Sequence, residues 1–133
     1  DKIFSVSEFS KEQCIKRGIL RDKLTTIPNC LNFESLNSDF TADRSAITSK
    51  FKIDANNKRI LLTVGRLIKR KGHAWFISNV FPNLPTNYIY VIAGLGPEYD
   101  TIKDTAQRHG LSDRVYLLGY VSEEEKKHLY QAG

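Results

Sequence analysis

Three stretches of the chain are unbroken runs of apolar, β-favouring residues: ILLTV at 60–64, YIYVIA at 88–93 and VYLL at 115–118. Such continuity, in place of alternation, marks strands covered on both faces. Each run stops at a glycine, Gly65, Gly94 and Gly119. Behind each, the period lengthens to that of a helix. Ala74, Ile77, Val80 and Phe81 are spaced i, i+3, i+6, i+7, which places one apolar face on a helix that Pro82 ends. Pro97 suits the first turn of the next helix, with Tyr99, Ile102 and Ala106 on one face and Gly110 just past its end. Ser122 and Glu125 have the spacing of a capping box, in which side chain and backbone satisfy each other's free amides. Three strand-loop-helix units in succession predict an α/β fold, a Rossmann-like parallel sheet with helices on both faces.

The first part of the chain is less regular. Ile3, Phe4 and Val6 suggest a short strand, and a capping box at Ser10 and Gln13 opens a helix running to about Arg17. Gly18 is placed to close that helix in the left-handed conformation. A second apolar, β-branched run covers 24–27 and stops at Pro28 and Asn29. The polar stretch 30–43, with scattered Leu31, Phe33, Leu36 and Phe40, reads as an irregular connection. Ala46, Ile47 and Phe51 then fall at helical spacing ahead of a turn at 54–57.

Composition changes this picture little. The 133 residues suffice for one domain with its own core, and 41% hydrophobic with 26% charged is an ordinary soluble balance. The chain starts at Asp1 without methionine and stops at Gly133 inside a helical pattern, so it is expected to be a piece of a longer protein. No apolar run approaches the roughly 20 residues of a membrane helix, and no leader is legible, which makes the cytoplasm the default location. A net charge of +5 fits a nucleic acid, an anionic membrane surface or a phosphorylated small molecule, and does not choose between them. Cys14 and Cys30 lack the spacing of a zinc or redox motif and read as reduced thiols.

The chemistry gathers behind the first glycine. Arg66, Lys69, Arg70 and Lys71 place four cations within six positions, in a strand-to-helix loop. In an open α/β sheet that is the ligand-binding edge, and a helix N-terminus there favours an anion. Lys69 and Arg70 read as a solvated turn. Arg66 follows the glycine directly and must lie at the sheet edge, while Lys71 opens the helix, where a cation opposes the dipole unless an anion is bound. Gly94-Leu95-Gly96 is not a dinucleotide fingerprint, because Tyr99 occupies the third glycine position. A Walker loop fits less well still, because no glycine stands five residues ahead of a Gly-Lys-Ser/Thr triplet, and Lys71-Gly72-His73 also lacks the hydroxyl. No Asp-x-Asp pair supplies a metal, so no metal site is assigned; Arg66 and Lys71 are left to neutralise a diphosphate. His109 reads as a charge at a helix end and His73 as part of a first turn, neither of them a general base. Trp75 reads as helix packing.

VGRL followed by KG, then IAGLGP, then DRVYLLGYV resembles the C-terminal domain of the retaining glycosyltransferases of family 4, the group 1 transferases with the two-domain GT-B fold. SVSEFSK and TTIPNCLN resemble that family's interdomain segment. The resemblance implies an interdomain segment and start of domain over 1–43, and an incomplete nucleotide-sugar-binding domain over 44–133. It implies that Gly65, Arg66 and Lys71 hold the diphosphate, that Gly94 and Gly96 line the cleft, and that Tyr120 and Val121 border the base. No catalytic residue is expected within the chain. The family's paired glutamates are expected beyond Gly133, and the domain binding an acceptor sugar or lipid-linked glycan before Asp1. The implied function is sugar transfer from a nucleoside-diphosphate sugar, without cofactor, metal or nucleic acid. The implied setting is polysaccharide biosynthesis in the cytoplasm or at the inner face of a membrane. A nucleotide-sugar epimerase, a sugar phosphorylase of the same fold and a non-enzymatic basic binding module are the alternatives.

Overall fold

The computed structural model describes residues 1–30 and 44–132. The connection expected after Cys30 lies outside the described residues, as do the side chains of Ala46 and Ile47. The chain forms two compact units, Asp1–Asp39 and Phe40–Gly133.

In the first unit, strand β1 (Ile3–Ser5), helix α1 (Glu8–Lys16) and strand β2 (Leu24–Thr26) make a small βαβ element. The strands pair in parallel, Ile3 with Leu24 and Ser5 with Thr26. Gly18 closes α1 at φ 93°, as its position predicts, and its amide reaches the Ile15 carbonyl at 2.9 Å. The helix start differs from expectation. Ser7, not Ser10, is the cap: its backbone is extended, and its Oγ accepts the Ser10 amide at 3.1 Å. Ser10 and Gln13 have the right spacing for a box, but Glu8 and Phe9 are already helical, so the orphan amides lie one turn earlier.

The second unit holds the three-stranded sheet. Its elements are α2 (Arg44–Phe51), β3 (Arg59–Val64), α3 (His73–Asn79), β4 (Tyr88–Ala93), α4 (Tyr99–Arg108), β5 (Val115–Gly119) and α5 (Glu123–Ala132). The strands lie in the order β3-β4-β5, all parallel, with Ile60 opposite Ile89, Val64 opposite Ala93, and Ile92 opposite Leu117. A register irregularity after Ile92 brings Ala93 opposite Gly119.

The continuous apolar runs are now explained, because successive residues serve two cores. Ile89, Val91 and Ala93 join Ile53, Val121, Leu129 and Ala132 on one face, under α2 and α5. Tyr90 and Ile92 join Ile77, Phe81, Ile102 and Ala106 on the other, under α3 and α4. Each such side chain taken fully out of water contributes roughly 1.5–3 kcal/mol before its entropy cost. The capping box of α5 is formed as expected: the Glu125 amide donates to Ser122 Oγ at 3.2 Å, and the Glu125 carboxylate accepts the Ser122 amide.

Around α3 and α4 four local readings change. Helix α3 ends at Asn79, and Pro82 lies inside a separate 3-10 turn, Phe81–Asn83, where a missing amide costs nothing. Lys71 does not open α3; it closes a 3-10 turn, Lys69–Lys71, and Gly72 at φ 72° stands between them. Its conflict with the helix dipole is correspondingly weaker. Helix α4 starts at Tyr99 behind Glu98, so Pro97 precedes its first turn. Trp75 is 64% exposed and is not helix packing, since Ile77 and Phe81 occupy the inward face of that segment.

Candidate functional site

The carboxyl edge of the sheet is built by three loops whose backbones bond to one another beyond the last strand residues. The Gly65 amide reaches Ala93 O at 2.9 Å, the Leu67 amide reaches Leu95 O at 2.9 Å, and the Gly94 amide reaches Gly119 O at 2.7 Å. Leu67 O in turn accepts the Glu98 amide at 3.2 Å. Leu67 is fully buried, so the loop behind β3 is pinned by an apolar plug one residue beyond Arg66.

That plug explains why the cations are displayed. With Leu67 turned inward, Arg66 is exposed, and Lys69, Arg70 and Lys71 are exposed on the turn that follows. Among the described residues no carboxylate forms an ion pair with any of the four. Unpaired cations gathered on a pinned loop leave their field to an incoming anion. Among the described residues no group of three or more His, Cys, Asp or Glu is placed to hold a metal.

The glycines divide into two kinds. A Cβ at Gly65 would meet nothing within 4 Å, and its φ of 151° favours glycine, so a ligand is free to approach the main chain there. Gly94 and Gly96 are different. A Cβ on Gly94 would lie 1.9 Å from Gly65 O, and one on Gly96 would lie 2.2 Å from Leu67 O. These two glycines let the second loop lie against the first, a packing demand that arises without any ligand.

At the third loop, Tyr120 is 78% exposed and Leu95, whose Cδ2 faces Gly119, is also exposed. Val121 is the opposite, buried in the core with Leu129 and Ala132. Of the residues singled out in the sequence, Gly65, Arg66, Lys71, Gly94, Gly96 and Tyr120 therefore stand at the carboxyl edge with their chemistry displayed or their backbone at the loops. Val121 offers only its main chain, because its side chain belongs to the face under α5.

One group at this edge carries more than its place in a first turn implies. His73 is buried, with Nδ1 2.9 Å from the Tyr90 hydroxyl, which lies 3.1 Å from Thr63 Oγ1. Burial first, then the neighbouring Lys71, hold the imidazole below its ordinary pKa of 6.5, while Glu98 acts the other way. Burial likewise pushes the Tyr90 phenol up, opposed by its bond to Thr63. The available signal was hydroxyl-bearing Thr63 and Tyr90 inside otherwise apolar strands.

Two half-open concavities lie elsewhere. One of about 260 Å³ runs between α4 and β5, lined by Tyr99, Lys103, Ala106, Gln107 and Leu117. One of about 430 Å³ lies at the amino end of the sheet, beside Asp54, Lys58, Arg114 and Tyr116. There Arg114 is already engaged, donating to the Tyr88 and Pro85 carbonyls with its guanidinium over the Phe81 ring at 4.7 Å. Neither concavity is lined by the loop cations.

Comparison with known proteins agrees with this fold. The chain is similar to the GPI3 subunit of phosphatidylinositol N-acetylglucosaminyltransferase from Saccharomyces cerevisiae, 28% identical over 129 residues, covering 94% of this chain and 27% of that one. It superposes on Anabaena HepE, solved in complex with UDP and glucose, with a TM-score of 0.82 at 20% identity, over 98% of this chain and 35% of that one. A glycosyltransferase from Rickettsia africae superposes with a TM-score of 0.80 at 19% identity, over 100% of this chain and 36% of that one. These likenesses establish the fold, and the chain spans about a quarter of the length of its curated relative. A family model described as glycosyl transferases group 1 matches residues 45–132, and on that match the chain belongs to the group 1 glycosyl transferases.

Proposed function

We propose that the carboxyl edge is the diphosphate shelf of a nucleotide-sugar-dependent glycosyltransferase, of which this chain supplies one part. The observation that carries the reading is the pinned loop: Leu67 is buried, Gly65 is open, and four cations with no ion pair among the described residues are exposed beside it. Arg66 and Lys71 stabilise the departing diphosphate, an electrostatic role in which fixed cations act on charge that grows as the sugar leaves. They do so without a metal ion. Exposed Tyr120 and Leu95 border the nucleoside, with the Val121 main chain beside them. Support comes from the Anabaena protein's complex with UDP and glucose and from the transferase name of the yeast relative. That relative's name specifies a phosphatidylinositol acceptor and a subunit of a larger assembly. We therefore favour a lipid acceptor over a free polysaccharide, peripheral association with the membrane that carries it, and partner subunits.

Calorimetric titration of alanine variants with UDP and with uridine tests the shelf. Arg66→Ala and Lys71→Ala each remove charge-assisted hydrogen bonds, at about 1.5–3 kcal/mol, which is roughly a tenfold to hundredfold loss of UDP affinity. Uridine binding should not change. Lys69→Ala and Arg70→Ala should cost about 0–1 kcal/mol, the range for exposed charges. Equal small losses across all four would reduce the cluster to a general basic patch.

A further inference from the structure

Beneath the cation loop lies a polar chain that the phosphate contacts do not use. His73, the first residue of α3, is 5% exposed. Its Nδ1 meets the Tyr90 hydroxyl on β4 at 2.9 Å, and that hydroxyl meets Thr63 Oγ1 on β3 at 3.1 Å. Nε2 is buried and has no hydrogen-bond partner among the described residues. An orphaned N–H is the costlier arrangement, whereas a bare ring nitrogen leaves only an acceptor unused. The neutral ring therefore carries its proton on Nδ1 and donates it to Tyr90, whose own hydroxyl is then free to donate to Thr63.

This directional chain fixes the imidazole against two strands, and with it the backbone at Gly72. Immediately before it stands the Lys69–Lys71 turn, closed by the Lys71 amide on Ile68 O at 2.9 Å and the Gly72 amide on Lys69 O at 3.0 Å. We propose that His73 is a positioning residue of the phosphate shelf: tethered through Tyr90 to Thr63, it sets the Lys69–Gly72 turn, and its bare Nε2 takes up a proton when a phosphate ligand settles against Lys71. The inference rests on the reading of the loop as a diphosphate shelf.

The groups acting on the ring are Lys71 from the turn, Glu98 from the cap of α4, Tyr90 from β4 and, behind it, Thr63 from β3. Burial and Lys71 oppose a proton, and Glu98 favours one. An anion against Lys71 cancels part of the opposition, so ligand and proton strengthen each other's binding. Affinity is then constant at high pH, climbs as pH falls through the liganded His73 pKa, and levels off below the free one.

Three variants of the full chain separate the parts of this proposal. His73→Asn keeps an amide N–H for Tyr90 and has nothing to titrate, His73→Leu keeps neither, and Tyr90→Phe removes the hydroxyl alone. Hydrogen exchange without ligand is read at the Lys71 and Gly72 amides. It should quicken by about fivefold or more in His73→Leu and Tyr90→Phe, and return in His73→Asn. UDP-glucose, whose phosphates stay ionised throughout, is titrated from about pH 8 down to the acid limit of folding, because His73 is held below its ordinary pKa. Wild type should bind more tightly as pH falls; His73→Asn should match it near pH 8 and be flat; His73→Leu should be about fivefold weaker. Unchanged exchange in His73→Leu, a flat wild-type profile, or a His73→Asn profile with the wild-type slope overturns the proposal. Failure of wild type to bind UDP-glucose would instead remove the donor reading, and the exchange rates would still decide whether His73 sets the turn.

Discussion

Arg66 and Leu67 are adjacent in sequence, yet one is exposed and the other fully buried, and that single step makes the loop a display surface. The glycines around it differ in the same residue-by-residue way. Gly65 stands in open space, so Gly65→Ala meets only backbone strain, on the order of 1–3 kcal/mol. Gly96 has an unexceptional φ, but a Cβ there collides with the Leu67 carbonyl, and Gly94 combines a collision with Gly65 O and a φ of 146°. Gly94→Ala should therefore cost the most, about 2–5 kcal/mol, because strain and overpacking add. Urea unfolding of the three variants checks the order. Gly65→Ala as the least stable of the three would show that loop-on-loop packing is not what these glycines serve.

At the scale of elements, α5 is held by more than its apolar face. Its cap residue Glu125 is 2.8 Å from Lys50 of α2, while Arg44 of α2 donates to the Ala132 carbonyl at the far end of α5. The Lys50 ammonium, then the Ser122 amide, hold the Glu125 carboxyl down at about 2, against an ordinary 4.5. A depressed carboxyl pKa means that the unfolded chain takes the proton first, so stability rises with pH in that window. The contribution is present above about pH 4.5 and is lost as pH falls toward 2. Carboxyl NMR titration should find Glu125 near 2 in wild type and nearer 4.5 in Lys50→Ala; a value that ignores Lys50→Ala would discard the ion pair as its cause. The capping box at Ser122 was legible because its two partners sit three residues apart. The Lys50 pair was not, because its partner is 75 positions away and arrives only when two helices share a sheet face.

The second unit is a parallel sheet with α3 and α4 on one face and α2 and α5 on the other. The chain spans 27% of the yeast relative. Incubated with UDP-glucose or UDP-N-acetylglucosamine and a phosphatidylinositol vesicle, the 133-residue chain should transfer no sugar, since it spans only that share of its relative. Turnover by the chain alone would place the acceptor site within these residues. On the proposed role of Arg66 and Lys71 as the charge that steadies the diphosphate, a longer chain carrying this unit should transfer sugar in the presence of EDTA. A loss that magnesium or manganese restores would remove that role from them.

The sequence by itself determined the α/β class, the strands, the glycine stops and the place of the cation loop. Each depends on neighbours a few residues apart: an apolar run, a cap, a turn residue, a charge cluster. Only the tertiary structure decided what those residues meet. It separated open Gly65 from the crowded Gly94 and Gly96, turned Val121 into the core and Trp75 toward solvent, and moved Lys71 off the helix into a turn of its own. It also joined Thr63, Tyr90 and His73, residues 27 and 17 positions apart, into one buried polar chain. The physical reason is that burial and hydrogen bonding are properties of packed surfaces, and no local pattern records which surface the fold will bring against a given side chain.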